Sequence, residues 1–343
     1  MFFASDNGSG AAPEIMAALS RANAGYARSY GADAVTARVI AQVRDVFEAP
    51  EAEVFLVTSG TAANALSIAL LTPPWGAVFL HEAAHAAVDE CGAPEFFAAG
   101  AKLIGLPGPA GKITPKALQE ALGRIGCGDV DAVQPAMLSL TNITEAGTVY
   151  TPGEVAGLTA LARAAGLPCH MDGARLANAL VATGVTPAEM TWKAGIDVLS
   201  LGGTKNGCLG VEAVVLFDPA KAWELQLRRK RAGHLMSKHR FLAAQMTAYL
   251  QDGLWLRLAG QANAMGARLA QGLAQVPQSR LRHPAPANML FAAFAPGTNA
   301  RAEARGAAYS PAPAPDGLDG ARLVASWSTT AQDVDALIAA LMP

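Results

Sequence analysis

The stretch Leu201-Gly-Gly-Thr-Lys-Asn-Gly207 follows Asp197-Val-Leu-Ser-Leu201, whose alternation predicts a short buried strand running into a tight turn. Lys205 is therefore expected at a strand end, facing inward. A lysine fenced by glycines and an apolar strand loses hydration, and a desolvated amine becomes a nucleophile toward carbonyls. A solvated loop lysine fits the same residues. The functional reading is favoured by the sequence upstream, at His170-Met-Asp-Gly-Ala-Arg175.

Working outward, the same strand-then-turn grammar recurs. Val54-Phe-Leu-Val57 reads as a strand, Thr58-Ser-Gly-Thr-Ala-Ala-Asn64 as a small-residue turn, and Ala65 onward as helix. That order leaves free backbone N–H groups and hydroxyls at a helix N-terminus, which suits a phosphate, although an ordinary capped helix start looks the same. Further strands are expected at Ala77-Val-Phe-Leu80, Lys102 to Leu106, Ala132 to Leu140, Pro168 to Asp172 and Val211 to Phe217, with helices from Pro13, Val35, Thr114 and Pro152 between them. Strands alternating with helices make this an α/β protein with a mostly parallel sheet covered on both sides. Ligands gather at the C-terminal ends of such strands, where Asp172, Lys205 and the Ser59 turn all fall.

Beyond Phe217 the pattern changes. Pro219 to Leu258 reads as nearly continuous helix, followed by a helix over Asn263 to Leu273, strands at Asn288 to Phe294 and Arg322 to Trp327, and a last helix from Ala331 to Leu341. Residues 295 to 320, rich in Ala, Pro and Gly, are either a loop or a poorly formed helix. The expected division is an N-terminal arm over 1–30, a large domain over 31–240 and a small domain over 241–343.

Composition sets limits on partners. At 343 residues and 52% hydrophobic, the chain can fill two cores. It carries 26 Lys and Arg against 28 Asp and Glu, and the one basic run, Arg228-Arg-Lys-Arg231, is short, so nucleic acid is not an expected partner. Cys91, Cys127, Cys169 and Cys208 lack paired spacing, which argues against a zinc site or disulfides and predicts small core residues in a reducing compartment. His81-Glu-Ala-Ala-His85 offers two histidines four apart, but no third ligand follows at useful spacing, and no metal is expected. The first residues lack the form of a secretory signal, and Ala62 to Leu71 is too short an apolar run to cross a bilayer. A soluble, cytoplasmic protein that does not engage membranes is expected.

A lysine amine, a carboxylate, an arginine three residues past it and a phosphate turn together match one chemical need, that of holding pyridoxal 5'-phosphate as an electron sink. An imidazole such as His85 stacked on the ring would complete the cage. The blocks Ser59-Gly-Thr-Ala-Ala-Asn64, His85 with Glu90-Cys-Gly-Ala-Pro94, His170-Met-Asp-Gly-Ala-Arg175 and Gly202-Gly-Thr-Lys-Asn-Gly207 resemble the L-threonine aldolase and β-eliminating lyase group of fold-type-I pyridoxal-phosphate enzymes. The resemblance runs from Phe3 to Trp327.

It implies an aspartate-aminotransferase-like fold, with a mostly parallel seven-stranded sheet in the large domain and a smaller C-terminal α+β domain. By the same resemblance Lys205 carries the cofactor as a Schiff base, Asp172 meets the pyridine nitrogen, and His85 stacks on the ring. Ser59, Gly60 and Thr61 hold phosphate, Arg175 lies near the cofactor's 3-oxygen and the substrate carboxylate, and Ser5 with Arg322 completes the carboxylate clamp. The family forms homotetramers with shared sites, so Tyr30 and Lys230 could reach a neighbouring subunit's cofactor. The implied reaction is retro-aldol cleavage of L-threonine, L-allo-threonine and related β-hydroxy-α-amino acids to glycine and an aldehyde. A β-eliminating lyase on the same fold is the alternative. In one place the sequence departs from many aldolases of the family: Glu145, in Thr144-Glu-Ala-Gly147, stands where they carry a histidine. A carboxylate there can take the hydroxyl proton, position a water or point away, with His85 or a phosphate-held water as rival bases.

Overall fold

The computed structural model describes residues 1–125, 127–315 and 317–343. Seven strands, β1 (Glu53–Val57), β2 (Gly76–His81), β3 (Lys102–Leu106), β4 (Gln134–Thr141), β5 (Cys169–Gly173), β6 (Val198–Gly202) and β7 (Glu212–Leu216), form one sheet ordered β1-β7-β6-β5-β4-β2-β3. From β6 through β3 every neighbour is parallel, and β7 alone runs antiparallel to both of its neighbours. The mostly parallel seven-stranded sheet is thus present.

Both faces of the sheet are covered, so the strands read as apolar runs. One face turns Val54, Leu56, Phe79, Leu138, Met171, Leu199 and Val215 toward helices Ala34–Val46, Pro152–Ala164 and Arg240–Leu250. Alternate residues Phe55, Val57, Val78, Leu80, Val198 and Val214 meet helix Gly60–Leu71, which is buried from Ala62 to its end. At the C-terminal ends of the strands this second face turns polar: His170, Asp172, Ser200 and Glu212 share it and are all buried. Register fixes the edge, because Glu212 lies opposite both Val57 and Gly202. The Ser59 turn and the Lys205 turn therefore leave the sheet on the same side, one strand apart.

A second, antiparallel sheet ordered β10-β11-β9-β8 is built from β8 (Arg280–Leu281), β9 (Met289–Phe294), β10 (Ser310–Pro311) and β11 (Asp319–Val324). It packs on helices Leu254–Leu273 and Ala331–Leu341 around Leu269, Leu290, Phe294, Leu323 and Leu337. Phe3 inserts into this core, its N–H bonded to the carbonyl of Ala308 and its carbonyl to the N–H of Val324. The N-terminal segment then crosses to the first sheet, where the N–H of Ala12 donates to the carbonyl of Gly207 at 2.8 Å. It acts as a strap between the two cores.

The expected continuous helix over 219–258 is three helices, Ala222–Arg231, Arg240–Leu250 and Leu254–Leu273. Gly233 at φ +79°, and Asp252 with Gly253 at +51° and +68°, take left-handed conformations that end a helix, and apolar residues resume closely after the second break. The helix expected over Asn263 to Leu273 is the second half of the last of these. Within 295–320 a short helix, Thr298–Ala304, and β10 form, while Asp316 lies outside the described residues. Helix Leu176–Thr183, unanticipated, sits against Leu254–Leu273. Cys169 and Cys208 are buried as expected, but Cys91 and Cys127 are exposed loop residues. Among the described residues no helix is long and apolar enough to cross a membrane.

Candidate active site

Asp172 is the penultimate residue of β5, on the polar part of the sheet face, beneath helix Gly60–Leu71. Its Oδ1 accepts from the N–H of Ala174 at 2.9 Å, and its Oδ2 accepts from Nδ2 of Asn64 at 2.8 Å. Below it His170 is locked between Ser139 and Ser200, each at 2.9 Å, and burial pushes its pKa down to about 4, so it stays neutral. The floor of the site is thus hydrogen-bonded and rigid.

Lys205 sits in the turn after β6. Gly203 donates its N–H to Oε2 of Glu212 at 2.8 Å, and Asn206 donates to Tyr249 and to the carbonyl of Trp255, both at 2.8 Å. Gly207 has φ +98°, and a Cβ there would stand 2.9 Å from Cδ1 of Leu258, so only glycine fits this corner. Burial raises the Glu212 carboxyl to about 7 against the opposing pull of the Thr204 and Gly203 bonds and Lys205. Among the described residues no hydrogen bond or ion pair holds the Lys205 amine, which is half-buried.

His85 begins the short helix His85–Val88 after β2, and its Nδ1 donates to Oε1 of Glu90 at 2.8 Å. That bond raises its pKa, while burial and Lys205 act against it, and Glu90 and Glu145 add attraction. Ser59 caps helix Gly60–Leu71 by accepting from Ala62 at 3.2 Å; Gly60 next to it faces open space, and Thr61 follows in the first turn. One helical turn further on lies Asn64, the residue bonded to Asp172. The helix that opens at Ser59 therefore also carries the amide that fixes the Asp172 carboxylate.

Arg175, three residues past Asp172, is clamped by Asp6, with Nε to Oδ2 at 2.6 Å and Nη2 to Oδ1 at 2.9 Å. Burial alone would raise the Asp6 carboxyl, but Arg175, then Lys205 and Asn288, outweigh it and hold the group below its ordinary value. Ser5 uses its hydroxyl to cap the turn at Asn7. Arg322 on β11 donates to the carbonyl of Ala4 at 3.0 Å, and its Nε is buried without a hydrogen-bond partner among the described residues. Arg322 thus reaches the strap at Ala4, next to Ser5 and two residues before Asp6.

Glu145 projects from a loop pinned by Thr144 and Thr148, whose hydroxyls pair at 2.8 Å and both reach the carbonyl of Ala110. Burial, reinforced by Asp172, raises its pKa, while Arg175, Lys205 and His85 pull the other way. These interactions place Glu145 in the same cluster as the cage residues. It also lines an open cavity of about 550 Å³ with His81, Arg282, His283 and Phe291. The two nitrogens of His81 are engaged by the carbonyl of Gly108 and the N–H of Ala83, and among the described residues no group of three or more His, Cys, Asp or Glu could hold a metal.

Tyr30 and Lys230 lie elsewhere in this chain. The Lys230 ammonium stands 4.4 Å from the centre of the Tyr30 ring, and Tyr30 lines a cleft with Arg229 and His239 along β1. None of the contacts described for them reaches His85, Asp172 or Lys205.

Sequence reasoning missed Asp6, Asn64, Glu90 and Glu212. Asn64 and Glu90 did fall inside blocks singled out for other reasons. Asp6, next to Ser5, carried no separate signal.

The residues fit pyridoxal phosphate in the chemistry of their donors. There is an amine without a hydrogen-bond partner among the described residues, a fixed carboxylate at 2.8 Å from its positioning amide, a helix N-terminus with open space at Gly60, and a buried arginine paired with Asp6.

Comparison with known proteins agrees. The profile of the β-eliminating lyase family matches residues 3–295. The chain is 43% identical over 333 residues to a low specificity L-threonine aldolase of Pseudomonas aeruginosa, covering 97% of this chain and 94% of that one. It is 45% identical over 290 residues to a low specificity L-threonine aldolase of a Pseudomonas species, covering 84% and 83%. A solved threonine aldolase of Leishmania major superposes with a TM-score of 0.93 at 29% identity, over 99% of this chain and 98% of that one.

Proposed function

Because the chain belongs to the β-eliminating lyase family, we propose that its site splits L-threonine, L-allo-threonine and related β-hydroxy-α-amino acids into glycine and an aldehyde. The chain is a pyridoxal-phosphate-dependent lyase of fold type I acting on a small amino acid. Bound pyridoxal phosphate supplies the sink that takes up the electrons of a bond broken at the substrate's α-carbon. The observation that carries the aldol reading is the 43% identity, over 97% of this chain, to a low specificity L-threonine aldolase, and Glu145, grouped with Arg175, Lys205 and His85, is the candidate base.

The rest follows from what each side chain can do. Lys205 offers its amine for covalent attachment, and Ser59, Gly60 and Thr61 hold the phosphate at the helix N-terminus. Asp172 presents its carboxylate to the ring nitrogen, and His85 covers the ring. Arg175 and Arg322, with Ser5, hold the substrate carboxylate, which fixes the rotation about Cα and sets the Cα–Cβ bond for cleavage. Asp6 keeps Arg175 charged and immobile. Glu145 is proposed to take the β-hydroxyl proton as the aldehyde leaves, because burial raises its pKa and makes its carboxylate a stronger base than an exposed one.

Incubation with L-threonine tests this reading. Acetaldehyde and glycine in equal amounts are expected, whereas ammonia release without acetaldehyde would instead mark elimination.

The functional unit is proposed to be a cytoplasmic homotetramer with shared sites, in which Tyr30 and Lys230 serve a neighbour's cofactor. Exposed Phe96, Trp223 and Leu227 support it as surface that association would cover. Light scattering at the mass of one chain would overturn it.

A further inference from the structure

One amide nitrogen ties two buried carboxylates together. Nδ2 of Asn64 donates to Oε1 of Glu90 and to Oδ2 of Asp172, both at 2.8 Å, and the same Oε1 accepts from His85. The partners fix the amide's orientation, since turned over its oxygen would face two anions. Asn64 and Glu90 are buried at 2% and 4% exposure, and Oδ1 of Asn64 and Oε2 of Glu90 have no hydrogen-bond partner among the described residues. Glu90 is followed by Cys91 at φ +51° and Gly92 at +72°, a left-handed pair that turns the chain sharply behind it.

A neutral donor between two buried anions leaves like charges close together, which is unfavourable unless a cation stands at each end. His85 stands at one end. At the other, Asp172 meets the cofactor's protonated ring nitrogen. We propose that Asn64 and Glu90 are positioning residues that couple the charge on His85 to the charge on the cofactor ring through Asp172. The proposal rests on the reading of Asp172 as the ring-nitrogen partner. The other charged groups facing this relay are Lys205 and Glu145 at His85, and Glu145 and Arg175 at Asp172. His170, neutral under Asp172, adds no charge.

A double-mutant cycle on the pyridoxal-phosphate-loaded protein separates a relay from independent effects. The readout is the pH midpoint of the bound cofactor's visible band in the parent, Glu90→Gln, Asn64→Ala and the double variant. Removing the anion at Glu90 is expected to move the midpoint down by about one pH unit. In the Asn64→Ala background that shift should fall to less than half. Equal shifts in both backgrounds, or none in Glu90→Gln, overturn the relay. Should Asn64→Ala not fold, Asn64→Ser, which cannot donate two hydrogens, takes its place with the same outcomes. No hydrogen bond joins either residue to Lys205 among the described residues, so the band should form in every variant; its absence from the parent would strike the assignment of Lys205, whereas a band whose midpoint ignores Glu90 would strike the relay alone.

Discussion

Asp6 and Arg175, 169 residues apart in sequence, meet through two hydrogen bonds of 2.6 and 2.9 Å, with Asp6 almost wholly removed from solvent. The pair joins the N-terminal strap to the residue that flanks Asp172. Arg175 is thus presented to the site as a fixed cation.

Removing the Asp6 carboxylate leaves that cation buried and unpaired. Asp6→Ala should lose about 3–5 kcal/mol of stability and raise KM for the amino acid at least tenfold. Thermal unfolding and steady-state kinetics check both. Because the folded pKa of Asp6 is depressed, its contribution is fully present above the ordinary carboxylate value of 3.8 and is lost as pH falls through the lower folded value. The difference in unfolding temperature between parent and variant should therefore narrow in acid.

Glu212 shows the opposite sign. Its pKa of about 7 lies above the ordinary 4.5, so the native state holds an extra proton between those values and stability falls as pH rises through them. Glu212→Gln keeps an acceptor for Gly203 but cannot ionise. Its unfolding temperature relative to the parent should rise between pH 5 and pH 8, a trend absent if Glu212 is unperturbed.

Glu145→Gln examines the base. A loss of about a hundredfold or more in the cleavage rate is expected, together with loss of the acid limb of the pH profile that the raised Glu145 pKa sets. A rate within a few-fold of the parent would assign the proton to another group.

If Asp172 is the proposed partner of the ring nitrogen, Asp172→Ala should lower kcat by about a hundredfold or more and weaken cofactor retention. Gel filtration followed by absorbance reports retention directly. An unimpaired rate with full retention would remove the role given to Asp172.

Much of this was legible in the chain because it is written locally. Apolar runs bounded by turns marked all seven strands of the large sheet, and the glycines around Lys205 marked a corner that Gly207 does require. What sequence hides is partnership across distance. Ser5 drew attention as a candidate, yet its neighbour Asp6 holds the arginine, a fact set by the strap's path between two cores. Asn64 looked like the end of a small-residue turn until the helix placed it between Glu90 and Asp172. Helix breaks at Gly233 and Gly253 were masked because apolar residues recur on both sides of them. Tyr30 and Lys230 meet each other here, and their assigned role depends on a second subunit.

Reduction with borohydride in the presence of pyridoxal phosphate, followed by peptide mass mapping, tests the central assignment most directly. A reduced cofactor adduct on Lys205, abolished together with the visible band in Lys205→Ala, is the predicted result. Reduction that leaves the peptide carrying Lys205 unmodified, or full turnover by Lys205→Ala, would contradict it.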